Sequence, residues 1–282
     1  MTRLTTKSGK PVHPIGIGTW EIASRINESD LGSKYRGVAP VYGHEDAEIQ
    51  ALRFSLSSGQ NHIDSAEMYG GFYTDEVIGS ALRGLPREDL YVADKLWKTS
   101  VGLGRVRPTV KRMLDKLKTD YLDLLYIHAP WPDAPWREAI TQIDELIDEG
   151  LVRQFGVSNF TIPQMEEARA GARHPIAANQ VYFNVGQQDA ADREFRAYCA
   201  KQDIQMVAYR PLDRQAVLDD ADVREIARSI EATTAQVALA WLLEMDALPI
   251  PKAVSKAHID ENIAAIKVKL APNDVRRLTR DA

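Results

Sequence analysis

The fold is decided by the stretch His62-Ile63-Asp64-Ser65-Ala66-Glu67-Met68-Tyr69. It predicts a short buried strand that ends in the Asp64 carboxylate, followed by a turn that carries the Tyr69 phenol. Two further apolar runs end at polar residues, since Lys95 follows Asp64 by 31 residues and His128 follows Lys95 by 33 residues. A strand with its crossover helix has about this length. We therefore expect consecutive strands to bring a carboxylate, a phenol, an ammonium and an imidazole around one opening.

The alternation of strand and helix patterns continues along the chain. Strands are predicted near residues 15–20, 61–65, 90–95, 121–128, 152–158, 176–181, 204–209 and 247–250. Helices are predicted near residues 46–57, 74–83, 106–118, 136–149, 162–170, 191–202, 221–231, 234–245 and 256–265, with a last one from Pro272. Short apolar strands are typical of a parallel sheet covered by helices. Eight of them predict an α/β fold, the (β/α)8 TIM barrel, as a single domain over residues 1–282; a doubly wound open sheet is the alternative.

Two segments lie outside this alternation. The polar N-terminal residues, with the turn Ser8-Gly9-Lys10-Pro11, predict a short N-terminal β-hairpin ahead of the barrel. Residues 21–44 form a long polar connection, and loops of this length are often functional. Its cations Arg25, Lys34 and Arg36 are candidates for attracting an anionic substrate, with a solvated charged loop as the alternative interpretation.

Composition and charge exclude several classes of function. The chain has 35 Lys and Arg against 40 Asp and Glu, a net charge of -5, which argues against general binding to nucleic acid or an anionic membrane. The single Cys199 excludes an intrachain disulfide framework and is expected to be inert core. No apolar run approaches the roughly 18 residues of a spanning helix, and the N-terminus lacks a signal-peptide pattern. We expect a soluble cytoplasmic monomer whose partner is a small molecule, with no nucleic-acid or membrane partner.

The four strand-end residues suit a proton transfer to an oxygen atom. Tyr69 is a weak acid in water, and a neighbouring Lys95 cation is expected to lower the pKa of its phenol. Asp64 is expected to hold Lys95 and balance its charge, and His128 to donate a hydrogen bond to a substrate oxygen. Taken singly, each residue has an ordinary alternative role: a helix cap, a loop aromatic, a structural ion-pair partner or a core histidine. Their occurrence at consecutive strand ends favours the catalytic interpretation.

The glycine fingerprint of a Rossmann dinucleotide fold is absent from the sequence. Gly16 and Gly18 permit close approach of another backbone, but no third glycine follows them at the start of a helix. A dinucleotide, if one binds, is therefore expected to be held in another way.

A series of ordered motifs resembles one known family. The motifs are Asp64-Ser65-Ala66-x-x-Tyr69-Gly70, Lys95-Leu96-Trp97, Leu122-Asp123-Leu124-Leu125-Tyr126-Ile127-His128, Gly156-Val157-Ser158-Asn159-Phe160, Asn179-Gln180-Val181-x-Phe183-Asn184, Ala208-Tyr209-x-Pro211-Leu212, Ile250-Pro251-Lys252 and Glu261-Asn262. From about Ile15 to Asn262 the chain resembles the aldo-keto reductase superfamily. The resemblance implies a barrel that binds NADP(H) in extended form and reduces aldehyde or ketone carbonyls to alcohols. It also implies a catalytic tetrad of Asp64, Tyr69, Lys95 and His128, with Tyr69 as the proton donor and the nicotinamide as the hydride donor.

The resemblance further implies where the cofactor lies. Gly18, Thr19 and Trp20 are expected at its nicotinamide end. Ser158, Asn159 and Gln180 are expected to hydrogen-bond the carboxamide, and Tyr209 to stack on the ring. The residues expected from the pyrophosphate to the 2′-phosphate and the adenine are Arg210, Leu212, Lys252, His258, Glu261 and Asn262. The alternative is that Ser158 and Asn159 cap the following helix and that Glu261 is a solvated helix residue.

Three positions depart from the family pattern. Arg210 stands where the family often has Ser, Ala253 where many members have Ser, and His258 where they have Arg. Losing a hydroxyl and a permanent cation should weaken binding of a 2′-phosphate. A neutral His offers one hydrogen-bond donor, whereas the Arg guanidinium offers two parallel donors and a positive charge. We therefore expect NADPH as the cofactor, with a reduced advantage over NADH, which is then also accepted.

Tryptophan side chains are expected to form the substrate pocket. Trp20, Trp97 and Trp131 follow strands and are expected to wall the pocket, whereas Trp136 is also explained as the start of a helix. One alternative function is a non-catalytic, nicotinamide-binding regulatory partner on the same fold, as in potassium-channel β subunits, which the intact tetrad disfavours. The other is a barrel aldolase that uses Lys95 as a Schiff-base nucleophile.

Overall fold

The computed structural model describes residues 2–23, 44–213 and 215–280. The cations Arg25, Lys34 and Arg36, which are candidates for attracting an anionic substrate, lie outside the described residues. All eight predicted strands are present, each paired in parallel with the next along the chain. They are β1 (Ile17–Gly18), β2 (His62–Asp64), β3 (Tyr91–Leu96), β4 (Leu124–Ile127), β5 (Phe155–Ser158), β6 (Ile176–Tyr182), β7 (Gln205–Tyr209) and β8 (Ala247–Pro249).

Two glycines allow the sheet to close on itself between β8 and β1. The Gly16 N–H donates to the Pro249 carbonyl at 2.9 Å, and the Gly18 N–H donates to the Pro251 carbonyl at 3.1 Å. A Cβ on Gly16 would lie 2.7 Å from His62 Nδ1, and one on Gly18 would overlap the Ile250 carbonyl oxygen. The sequence predicted this close approach. The closed barrel is confirmed, and the open-sheet alternative is wrong.

From residue 45 onward, helices cover the outside of the barrel at the predicted places, and one further helix precedes β1. They are α1 (Arg3–Ser8), α2 (Glu45–Ser57), α3 (Thr74–Leu82), α4 (Val106–Leu117), α5 (Trp136–Asp148), α6 (Ile162–Gly171), α7 (Arg193–Lys201), α8 (Ala221–Ser229), α9 (Thr234–Glu244), α10 (Lys256–Ala264) and α11 (Pro272–Leu278). Helix α4 shows why they form, because Val106, Val110, Met113 and Leu117 recur at helical spacing and are all buried against the sheet. Among the described residues, no helix is long and apolar enough to span a bilayer.

The N-terminal segment corrects the sequence prediction, because α1 is a helix where a β-hairpin is expected. The Thr2 side chain accepts a hydrogen bond from the Thr5 N–H and caps the helix, and Gly9 ends it with a φ of 71°. The segment with Gly9 is thus a helix end rather than a hairpin turn. Leu4 of α1 is fully buried and packs among the apolar residues inside the barrel, so this helix covers its amino-terminal end.

Candidate active site

The four predicted catalytic residues meet at the carboxyl-terminal end of the barrel. Asp64 is the last residue of β2, Lys95 lies near the end of β3, and His128 directly follows β4. Tyr69 begins a short 3-10 turn, where its N–H donates to the Ala66 carbonyl at 2.8 Å. The next residue, Gly70, has a φ of +56°, and a Cβ there would lie 2.6 Å from Thr74 Oγ1. The tight turn therefore depends on glycine and returns the phenol over the strand ends.

Lys95 is held at the centre of this group by hydrogen bonds. Its ammonium pairs with Asp64 Oδ1 and donates to the Ser65 carbonyl at 2.7 Å. Gln180 Nε2 donates to the other Asp64 oxygen, Oδ2, at 2.7 Å. Both members of the ion pair are only 1% exposed, and Lys95 Nζ lies 5.3 Å from the centre of the Tyr69 ring. The pair is thus desolvated, and every oxygen of Asp64 has a donor.

The protonation states differ from the sequence prediction at Tyr69. Burial raises the pKa of the Tyr69 phenol well above its ordinary value, and the nearby carboxylates of Asp64 and Asp94 raise it further. The predicted lowering of this pKa by Lys95 is wrong, because Asp64 balances the Lys95 charge and the phenol is desolvated. Burial, followed by the charge of Lys95, lowers the pKa of His128 well below its usual range. At neutral pH the site therefore presents a protonated phenol and a neutral imidazole.

Aromatic rings enclose the phenol and the imidazole. Trp20 meets Tyr69 edge to face at 4.8 Å between ring centres, and Trp97 meets His128 in the same way at 5.3 Å. Trp131 contacts Trp97 at 5.1 Å. Trp136 begins α5 and packs on Phe160, so the helix-start interpretation of this residue is confirmed.

A cavity of about 560 Å³ opens over these residues. It is lined by every predicted catalytic residue except Lys95, which lies buried beneath it. It is also lined by every predicted cofactor residue except His258, Glu261 and Asn262. Trp131 stands behind Trp97 and does not line it. The structure therefore brings together the residues predicted for the nicotinamide end and leaves the three α10 residues outside the cavity.

One wall of the cavity is a chain of hydrogen-bonded polar groups. Ser158 Oγ donates to the Gln180 carbonyl at 2.9 Å, and Asn159 Nδ2 donates to Ser158 Oγ at 3.1 Å. The Tyr209 hydroxyl then donates to Asn159 Oδ1 at 3.1 Å. Asn159 adopts a φ of +60°, a conformation that asparagine tolerates better than most residues. The wall can fix the orientation of a planar group that lies against the Tyr209 ring.

Two cations, Lys252 and Arg210, line the cavity. Lys252 is exposed and lies just before α10, whose first turn is capped by Ser255 accepting the His258 N–H at 3.3 Å. His258 is exposed, and Asn262 is buried on the same helix. Arg210, with a φ of +50°, lies over the Tyr182 ring at 6.0 Å. Cations that line a cavity suit a ligand that bears phosphate groups.

Sequence reasoning missed Tyr182, which also lines the cavity. Its ring stacks on Tyr209 with 5.5 Å between centres and an interplanar angle of 10°. Strand periodicity contained the signal, because Tyr182 lies two residues after Gln180 on β6 and therefore faces the same side. The buried acids Asp75 and Asp94 were also missed, although Asp94 interrupts the apolar run before Lys95.

Comparison with known proteins agrees with this geometry. Residues 14–280 match the sequence profile described as "Aldo/keto reductase family". The methylglyoxal reductase YeaE of Escherichia coli is 32% identical over 257 residues, which cover 86% of this chain and 89% of that protein. The glyoxal reductase of Bacillus subtilis is 30% identical over 244 residues, which cover 86% of both chains. The crystal structure of an aldo/keto reductase from Klebsiella pneumoniae with NADP and acetate superposes with a TM-score of 0.81 and 29% identity, covering 95% of this chain and 91% of that one.

The chain therefore belongs to the aldo/keto reductase family. The matched residues 14–280 contain all eight strands of the barrel.

Proposed function

We propose that this chain, acting as a single-domain monomer, reduces the carbonyl group of small aldehydes or ketones to an alcohol with NADPH. The observation that carries the proposal is the buried, protonated phenol of Tyr69 at a cavity wall, beside the Lys95–Asp64 pair and His128. The relatives named as methylglyoxal and glyoxal reductases support a small carbonyl substrate. The Klebsiella relative that holds NADP supports the choice of cofactor.

The residues present fit a nicotinamide dinucleotide. We assign the carboxamide to Ser158, Asn159 and Gln180, whose hydrogen-bonded chain borders the Tyr209 ring. Lys252 and Arg210, which also line the cavity, would hold phosphate groups of the dinucleotide. A bound nicotinamide supplies the hydride that the carbonyl carbon receives.

The protein's own part in the reaction is to place and protonate the carbonyl oxygen. Tyr69 gives its hydroxyl proton to that oxygen as charge develops there. The neutral imidazole of His128 donates a hydrogen bond that orients the carbonyl. Lys95 lies 5.3 Å from the centre of the Tyr69 ring, and Asp64 keeps it in place beneath the phenolate that remains. The rings of Trp20 and Trp97 exclude water around these groups.

Tyr69→Phe tests the proposed proton donor. We expect kcat for a carbonyl substrate to fall by about 10²- to 10⁴-fold, because the variant keeps the ring and loses the proton. Quenching of protein fluorescence by NADPH should persist. Tyr91→Phe is the matched control, since Tyr91 is a fully buried tyrosine inside the barrel. Its hydroxyl donates to Gln154, and the residue does not line the cavity. Full activity of Tyr69→Phe would contradict the proposal.

We further propose that NADH is also accepted, since His258 and Ala253 supply a weaker 2′-phosphate site than Arg and Ser. Replacing His258→Arg should raise the ratio of kcat/KM for NADPH over NADH by roughly tenfold, which is the worth of one charge-assisted hydrogen bond. Lys252→Ala should lower the same ratio. A very large NADPH preference that survives Lys252→Ala would contradict this part of the proposal.

A further inference from the structure

A layer of buried carboxyl groups lies behind the active site. Asp64, Glu67, Asp75 and Asp94 are each at most 6% exposed. Among the described residues, the cations that act on them are Lys95 and, from α4, Arg112 and Lys116. Four carboxylates against three cations leave one negative charge without a counter-charge, and Lys116 is also shared with the exposed Glu76 at 3.2 Å. A dry layer with this excess of acid is expected to retain a proton.

The individual contacts show which acids lack a cation of their own. Asp64 pairs with Lys95, and Glu67 Oε1 accepts from Arg112 at 3.0 Å and from Ser100 at 2.8 Å. Asp75 and Asp94 form no ion pair within the described part of the chain. The retained proton therefore belongs to these two.

Asp75 and Asp94 lie in a ring of hydrogen bonds that runs through Lys95. The Lys95 N–H donates to Asp94 Oδ1 at 2.7 Å, and Lys95 Nζ donates to the Ser65 carbonyl at 2.7 Å. Ser65 Oγ donates to Asp75 Oδ1, also at 2.7 Å. The Ser65 N–H donates to the Ala93 carbonyl at 2.9 Å, which brings the Asp75 end of this chain beside Asp94, and the charge of Asp75 acts on Asp94. A hydrogen bond between the two carboxyl groups would close the ring. Both the main chain and the side chain of Lys95 are members of it.

One oxygen of the ring lacks a donor when all its acids are ionised. Asp94 Oδ2 is buried and accepts no hydrogen bond from any described residue. Two ionised carboxylates cannot bond each other, since neither has a hydrogen to give. A single proton on either acid supplies the missing hydrogen bond and removes the repulsion between them.

The electrostatic surroundings agree with this arrangement. Burial raises the pKa of Asp75 to about 7, although Ser65 and Lys116 act in the opposite direction. Burial and the charge of Asp75 raise the pKa of Asp94 well above its usual range, against the effect of Lys95, and Glu67 raises both. Because both shifts are upward, the proton is held at neutral pH and lost as the pH rises.

We propose that Asp75 and Asp94 share one proton at neutral pH, and that the ring it closes positions Lys95 beneath the Tyr69 phenol. Loss of the proton opens the ring and adds a negative charge close to Lys95. Because a negative charge on Asp94 makes the Tyr69 phenol a weaker acid, full ionisation of the two acids makes proton donation slower. The catalytic consequence rests on the proposed role of Tyr69, whereas the shared proton does not.

Infrared spectroscopy tests the shared proton without any assay of activity. The wild type should show the C=O stretch of a protonated carboxylic acid at neutral pH, and this band should disappear in alkaline buffer. Asp75→Asn and Asp94→Asn should each lack the band. Asp144→Asn is the matched control and should keep it, since Asp144 is equally buried but accepts the N–H groups of Arg173 and His174. Absence of the band from the wild type would overturn the proposal, whether or not the protein is a reductase.

The pH dependence of kcat tests the positioning role. Asp94→Asn keeps an acceptor for the Lys95 N–H and offers Asp75 a fixed donor, so it should displace the alkaline fall in kcat to higher pH. Asp94→Ala opens the ring and should lower kcat by roughly tenfold, with KM for NADPH unchanged. The Asn variant should restore most of that loss. If Asp94→Asn leaves the alkaline limb where the wild type has it, the positioning role is wrong, and this result is decisive even if the Ala variant fails to fold.

Discussion

Two lysine–aspartate pairs occupy opposite ends of the same barrel and have different surroundings. At the carboxyl-terminal end, Lys95 and Asp64 are both 1% exposed, and Asp64 lines the same cavity as Tyr69, with Lys95 buried beneath it. At the amino-terminal end, Lys10 pairs with Asp123 at 2.7 Å, and Arg87 pairs with the same carboxylate at 2.7 Å. Both of these cations remain 19% exposed. Asp123 thus pairs with two cations that are partly exposed to solvent, whereas Asp64 pairs with a single cation that is buried.

This difference assigns a different task to each pair. Asp123 also accepts the Val92 N–H at 2.9 Å, so its charge is over-compensated and it links the N-terminal segment to β3 and β4. A dry pair such as Lys95–Asp64 contributes little net stability, because desolvation offsets the Coulomb attraction. We therefore infer that the amino-terminal pair serves stability and the carboxyl-terminal pair serves chemistry. Four predictions test the division, in order of decreasing effect.

Removing both members of the carboxyl-terminal pair should abolish activity with little loss of stability. In Asp64→Asn/Lys95→Met we expect kcat to fall by about 10³-fold, equivalent to about 4 kcal/mol. The free energy of unfolding should change by about 1 kcal/mol or less, since no buried charge is left unpaired. Carbonyl reduction assays and urea unfolding measure the two effects. A loss of about 3 kcal/mol in stability would show that this pair also holds the barrel together.

Removing the amino-terminal carboxylate should have the opposite effect. Asp123→Ala removes the carboxylate that Lys10 and Arg87 share and is expected to cost about 3 kcal/mol in the free energy of unfolding. Because the site lies at the other end of the barrel, kcat should stay within about twofold of the wild type. Asp120→Ala, an exposed acid in the same connection, is the control and should cost less than about 0.5 kcal/mol. A large fall in kcat for Asp123→Ala would remove the distinction between the two ends.

The sequence predicted the carboxyl-terminal end better than the amino-terminal end. Strand periodicity and the spacing of Asp64, Lys95 and His128 were sufficient to place these residues around one opening, because parallel strands align their ends. The N-terminal helix was not predicted, since Thr2 and Gly9 are compatible with a turn as well as with helix caps. Only the packing of Leu4 into the barrel distinguishes these possibilities.

The electrostatics of the site could not be predicted from the sequence. The sign of the pKa shift at Tyr69 depends on how completely the phenol is buried and on Asp94, which acts from the neighbouring strand. Sequence spacing predicts that Tyr69 lies close to Lys95, but it does not show that Asp64 balances the charge of Lys95. The same limit applies to Asp75, whose closeness to Asp94 arises only when α3 packs on the barrel.

His62 lies inside the barrel between the two ends, and its protonation makes the free energy of unfolding depend on pH. Both of its ring nitrogens are buried without a partner among the described residues, and burial, then Lys95 and His13, lower its pKa from 6.5 to about 3. The unfolded chain therefore binds a proton that the folded chain excludes, so stability falls as the pH drops below 6.5. Between about pH 7.5 and about pH 5, the wild type should lose about 2 kcal/mol more than His62→Leu in urea unfolding. Equal losses would show that His62 is protonated in the folded barrel.

Replacing Lys10 gives the smallest effect and separates the two cations of the amino-terminal pair. Lys10→Met should cost only about 1 kcal/mol in the free energy of unfolding, because Arg87 continues to neutralise Asp123 and the apolar stem is kept. The lost contacts include the ion pair, a hydrogen bond of 2.7 Å to the Leu90 carbonyl and a contact with the Tyr121 ring at 5.5 Å. At the other end, Lys95→Met alone should cost more, because Asp64 then has no cation. If Lys10→Met lowers the free energy of unfolding as much as Asp123→Ala does, Arg87 does not compensate for the lost cation. The Lys10–Asp123 and Lys95–Asp64 pairs would then differ in position but not in their contribution to stability.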